Sequence, residues 1–104
     1  MSSFITASAK DVGTTPVTVY TATETTVLIG CNVANTTSTI VPIDILYNDG
    51  SNDYYIRKNF RVENGFNEEV MKGNKIVLVA GNTISVKSGL DASVDVVLSL
   101  LSGV

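Results

Sequence analysis

Residues 48–60, N-D-G-S-N-D-Y-Y-I-R-K-N-F, gather the most polar and the most aromatic side chains of the chain in one place. Asp49, Ser51 and Asp53 alternate as oxygen ligands do in a calcium loop. An EF-hand loop, however, carries Gly at its sixth position and a bidentate Glu at its twelfth, between two helices. Here Gly50 comes too early, no Glu closes the loop, and the flanks read as strands. The three residues are weak calcium candidates, and no metal site is expected. The stronger expectation is a hairpin turn, in which Gly50 supplies positive φ and the Asx side chains bond their own backbone. Tyr55, with Asn and Asp beside it, offers an aromatic face on which a sugar ring could stack.

Other chemistry is scarce. The chain has no histidine, which removes Ser-His-Asp and Cys-His catalysis together with the commonest metal ligand. Its one cysteine, Cys31, allows no intrachain disulfide and no C-x-x-C zinc site. Cys31 alternates with Val27, Ile29 and Val33, so it reads as a small core hydrophobe in a strand. Glu68 and Glu69 are adjacent and should point to opposite faces of a strand, which is no acid/base pair. Asp91 and Asp95 read as solvated surface carboxylates. No Gly-rich phosphate loop stands between a strand and a helix. No catalytic residue, cofactor or enzymatic activity is expected.

Charge sets further limits. The 104 residues carry a net −3, and charged side chains are only 16% of the chain, against about 25% in an average soluble protein. Thr, Ser and Asn take their place. The seven Lys and Arg are scattered, with only Arg57 and Lys58 adjacent, which argues against a nucleic-acid or anionic membrane surface. A surface so poor in charge is weakly protected against self-association, a hint that a partner covers part of it.

The elements follow from period-two alternation, which runs through almost every segment. Val, Ile, Thr and Tyr suit pleated surfaces. Strands are expected over residues 17–20, 25–34, 39–47, 54–60, 66–71, 75–79, 83–87 and 93–101. Asn64-Gly65 is a strong hairpin signal, because both residues tolerate positive φ. Pro42 lies inside the third strand and cannot donate to a ladder, so that strand should be at an edge or bulged. The expected fold class is all-β: about eight short antiparallel strands in a two-sheet β-sandwich, with a small barrel as the alternative. Residues 1–16 read as an N-terminal arm or edge segment, and 17–104 as a single domain. The arm, Ser2 to Thr15, would be ordered by binding a neighbour. The start, M-S-S-F-I-T-A-S-A-K, lacks the basic leader and long apolar core of a secretory signal. The last strand has Val94, Val96, Leu98 and Leu100 on one face. Val97 and Leu101 on the other exceed what a half-exposed strand needs, and together with Tyr55 they are the candidate interface residues.

The order of pieces carries a resemblance. V-Y-T-A-T-E-T-T-V-L-I-G-C-N-V-A-N-T is followed by D-Y-Y-I-R-K-N-F-R-V, then K-I-V-L-V-A-G-N-T-I-S-V-K-S and V-D-V-V-L-S-L-L. Over residues 17–101 this resembles a group of small structural proteins and domains of tailed bacteriophages, often of marine or cyanobacterial hosts. Their plan runs V-Y-T-V-P-x-G-x-T, a strand ending in Asn, Y-Y-L-x-K-N, K-I-V-L-E-A-G-D and a closing V-D-V-V-x-S. The chain departs at Ala22-Thr23-Glu24, where Pro and Gly often stand, and at Asn82, where Asp is usual. The resemblance implies a non-enzymatic virion component: a capsid decoration protein, or part of the neck, tail or fibre, made in the host cytoplasm. It implies packing on other virion proteins and a homo-oligomer, for which threefold positions on capsids and fibres suggest a trimer.

Overall fold

The computed structural model describes residues 2–104; Met1, the first residue of the expected N-terminal segment, lies outside the described residues. Nine strands follow one another: β1 (Ser3–Val12), β2 (Val17–Thr21), β3 (Thr26–Asn35), β4 (Val41–Asn48), β5 (Asp53–Val62), β6 (Asn67–Glu69), β7 (Ile76–Leu78), β8 (Thr83–Ser88) and β9 (Val94–Ser102). Among the described residues there is no helix. The strands form two antiparallel sheets, as the all-β two-sheet sandwich reading expects.

The first sheet runs β1-β9-β3-β6, with β7 also on β3, and the second runs β2-β8-β4-β5. β6 pairs with Asn32–Ala34 and β7 with Thr26–Leu28, so the two are halves of one edge position along β3. Counted as one, they leave eight positions in two four-stranded sheets. Every other connection between consecutive strands crosses from sheet to sheet, except the β4–β5 hairpin. That connectivity is the double Greek key of a jelly roll.

The core is the sum of inward faces. Val94, Val96, Leu98 and Leu100 of β9 are all fully buried, as their alternation requires, and they meet Val41, Ile43 and Ile45 of β4 across one hydrophobic core. β3 departs from the expected phase. Thr26 and Leu28 point inward, then Cys31, Val33 and Asn35 do, because the register against β9 slips between Leu28 and Gly30. The extra residue is a β-bulge, and a bulge flips every later side chain to the other face. Val27 and Ile29 therefore leave the row they were expected to share with Cys31.

Two more expectations change. β4 lies between β8 and β5, so it is no edge strand. Pro42 is tolerated because the β4–β8 ladder begins one residue later, at Ile43↔Ser88, while the β4–β5 register shifts on either side of Ile45. Of the two readings of the N-terminal segment, arm or edge segment, Ser3–Val12 lies as an edge strand of the first sheet and not as an arm awaiting a neighbour. It pairs with β9 of its own chain, from Ser3↔Ser102 to Val12↔Val94. Its alternation (Phe4, Thr6, Ser8 against Ile5, Ala7, Ala9) is as regular as that of β9, but small side chains weaken the signal.

Candidate functional site

The 48–55 loop is the tip of the β4–β5 hairpin. Asp49 Oδ1 accepts the backbone N–H of Ser51 at 2.9 Å and of Asn52 at 2.8 Å. Asn48 Oδ1 accepts the N–H of Gly50 at 2.7 Å, and Asn48 Nδ2 donates to Asp53 Oδ1 at 2.8 Å. The Asn52 and Ser51 N–H groups hold the Asp49 carboxyl below the usual carboxylate range. Both candidate carboxylates are thus engaged in folding the turn on itself. Among the described residues, no three His, Cys, Asp or Glu side chains gather where they could hold a metal ion.

The paired tyrosines separate to opposite faces of β5. Tyr54 stacks on Tyr47, ring centroids 6.0 Å apart, and the Tyr47 hydroxyl donates to Asn82 Oδ1 at 3.2 Å. Tyr55 stands beside Leu46 on the outer face of its sheet and is 53% exposed. The Lys58 ammonium sits 4.6 Å from the Tyr55 ring centroid. This cation–π contact occupies a ring face that a sugar would need for stacking.

The larger feature is the outer face of the first sheet. Residues directly opposite on antiparallel strands share a face. Phe4 stands opposite Leu101, Leu101 opposite Val27, and Val27 opposite Val77. These four form one apolar row across four strands, with Phe4 80% and Val77 60% exposed. Val97 lies on the same face two rows away, between Ser8 and Asn32, and is 43% exposed. Val97 and Leu101 are thus on one surface, and Tyr55 is on the opposite one. Sequence reasoning missed Phe4, because 1–16 was not read as a strand, and Val77, because cross-strand register is not written in a single segment.

The remaining carboxylates serve the scaffold. Glu69 Oε1 accepts the backbone N–H of Cys31 at the β3 bulge, and its Oε2 accepts that of Lys72 at 2.8 Å. Glu68 instead reaches Lys72 Nζ at 3.3 Å in an exposed ion pair. Asp91 Oδ1 takes the Thr14 hydroxyl at 2.9 Å, and Asp95 Oδ1 takes the Asp11 N–H at 2.9 Å. They anchor the end of β1 and do not form an acid pair.

Cys31 is fully buried. Burial first, and the nearby Glu69 carboxylate second, push its thiol from 9.0 up to about 12. The unfolded chain would release this proton near 9.0 while the folded chain retains it. Stability from this group is therefore intact below pH 9 and is lost as pH rises towards 12. By pH 11 the loss is on the order of 3 kcal/mol. Urea titrations of the wild type and Cys31→Ala at pH 8 and pH 11 should show a stability difference that shrinks by about that amount in alkali. A difference independent of pH would show that the thiol is not shielded.

No protein-family model matches the chain, and no curated protein matches it. Two solved structures do. One is a protein of the T13 IBDV viral particle, with a TM-score of 0.62 at 10% identity over 96% of this chain and 30% of that one. The other is a pentameric capsid protein isolated from metagenomic phage sequences, with a TM-score of 0.45 at 15% identity over 95% of this chain and 61% of that one. The chain therefore spans under a third of the first structure's length, and it shares that segment's fold.

Proposed function

We infer that the chain is a non-enzymatic virion structural protein, which decorates or stabilises the particle by self-association and by packing on other virion proteins. The observation that carries this reading is the apolar row Phe4–Leu101–Val27–Val77 across the outer face of a jelly roll. Such a sheet face is a packing surface, and the jelly roll is an architecture of viral capsid domains among others. The fold shared with a protein of the IBDV particle and the resemblance of the motifs to tailed-phage structural proteins support the same reading. Leu101 and Val97 belong to the packing face, Tyr55 to a second contact on the opposite sheet. A threefold arrangement in a capsid, neck, tail or fibre is the proposed setting.

The test is particle composition. Particles purified from cells that make the chain, analysed by quantitative mass spectrometry and cryo-EM, should contain it in fixed stoichiometry, as density matching a jelly roll. A chain that is absent from the particles and stays monomeric at high concentration would overturn the reading.

A further inference from the structure

We propose that the free edge of β1, over Ser3–Ala9, is a pairing site for β1 of a second copy, joined antiparallel about a twofold axis. The sandwich has four strand edges, and three are protected. The β6/β7 edge is broken into two three-residue strands. β2 is five residues long, follows Pro16, and slips register between Thr18 and Tyr20. β5 carries Arg57, Lys58 and Arg61, two register shifts, and Asn59 at φ 51°. Short strands, proline, bulges and cations are the devices that keep an edge from pairing. β1 has none of them over its first seven residues: it runs in unbroken register from Ser3↔Ser102 to Ala9↔Val96, and its bulge, Lys10 and Asp11 all lie beyond. An edge left open beside three closed ones is an edge meant to be filled.

Charge and side-chain size select the occupant. The chain carries a net −3, yet Ser3–Ala9 has no charge, so two copies meet where neither repels the other. A charged partner strand would find nothing complementary there. Pairing centred on Thr6 sets Phe4 of one copy beside Ser8 of the other on the outer face, and Ile5 beside Ala7 on the inner face. Large meets small on both faces, so the ladder closes without crowding. Across the junction the Phe4–Leu101–Val27–Val77 row of one copy runs into Ser8 and then Val97 of the other, so the two outer faces join as one surface. The choice of a second copy rests on the self-association in the proposed function. The twofold contact is separate from any threefold one.

A single substitution, Thr6→Cys, tests the geometry in the full chain. Directly opposed residues of an antiparallel pair lie about 4.5–5.5 Å apart at Cα, within the span of a disulfide. Mild oxidation should convert the Thr6→Cys protein to a covalent pair, whereas Thr23→Cys, at the exposed turn between β2 and β3, and the wild type, whose Cys31 is buried, should stay single. Thr6→Lys should halve the mass of the assembly in sedimentation, with the circular dichroism spectrum and thermal midpoint unchanged. A monomer at every concentration, an assembly whose mass ignores Thr6→Lys, or cross-linking no faster at position 6 than at 23 would each overturn the pairing. Particle incorporation of the same proteins separates the two readings. A cross-linked chain absent from particles removes only the virion role, and an incorporated chain without the link removes only the pairing.

Discussion

Asn35→Ala is expected to lower the stability of the domain by about 3 kcal/mol or more, a drop in thermal midpoint of roughly 10–20 °C for a chain of this size. Asn35 ends β3 and is 3% exposed. Its Nδ2 donates to the Thr39 carbonyl at 2.7 Å and to the Val62 carbonyl at 3.0 Å. Its Oδ1 accepts the Thr37 N–H at 2.9 Å and the Thr37 hydroxyl at 2.7 Å. One side chain thus ties the end of β3 in the first sheet to the end of β5 in the second, and shapes the turn into β4. Removing it orphans several polar groups, and each one left buried costs about 1–3 kcal/mol. Asn35→Asp should not rescue the loss, because a carboxylate would face the Val62 and Thr39 carbonyls with no proton to give. Chemical denaturation of the three proteins measures the difference. Asp at wild-type stability would show that the amide protons do not matter.

The same residue shows what the sequence could and could not tell. Asn35 stands in a stretch that resembles the phage structural proteins, and so do Asn59 and Asp95, while Asn82 stands where their plan usually has Asp. Asn35, Asn82 and Asp95 hold backbone with their side chains, while Asn59 has its own backbone held. The Asn59 N–H, on a residue at φ 51°, donates to Asp44 Oδ1 at 2.8 Å. Asn82 Oδ1 accepts the Val79 N–H at 3.0 Å, which fixes the turn between β7 and β8. Asp95 holds Asp11, another left-handed residue, at φ 55°. Motifs of this kind preserve a fold and are silent about partners, which is why the fold class was readable while the site was not.

Where the alternation was strong, in β4 and β9, the buried faces followed from it directly. Where a bulge intervened, at Gly30, it misled. A bulge depends on a distant acceptor, here Glu69 reaching across from β6, and a Cβ on Gly30 would stand 3.1 Å from that carboxylate. Nothing in the local run from Val27 to Val33 announces that contact. The apolar row is hidden for a related reason. It takes one residue from each of four segments spread from position 4 to position 101, and only the sheet order brings them together.

That row is where the second large effect is expected. Val77→Thr combined with Val97→Thr keeps the β-branched shape on two exposed positions, so the isolated fold should change by no more than about 0.5 kcal/mol. At a packed subunit contact the outcome differs, since each hydroxyl buried without a partner costs about 1–3 kcal/mol. The pair should therefore weaken association with the particle by roughly 1.5 to 4 powers of ten, at about 1.4 kcal/mol per tenfold. Both positions lie outside β1, so the result does not depend on strand pairing at that edge. Tyr55→Ala, on the opposite sheet, is the matched comparison. If the double Thr variant loads onto particles as well as the wild type does while Tyr55→Ala is lost, then the second sheet makes the contact. Lys58 over the Tyr55 ring would then be part of a binding surface, and the apolar row would have to be explained by pairing between copies alone.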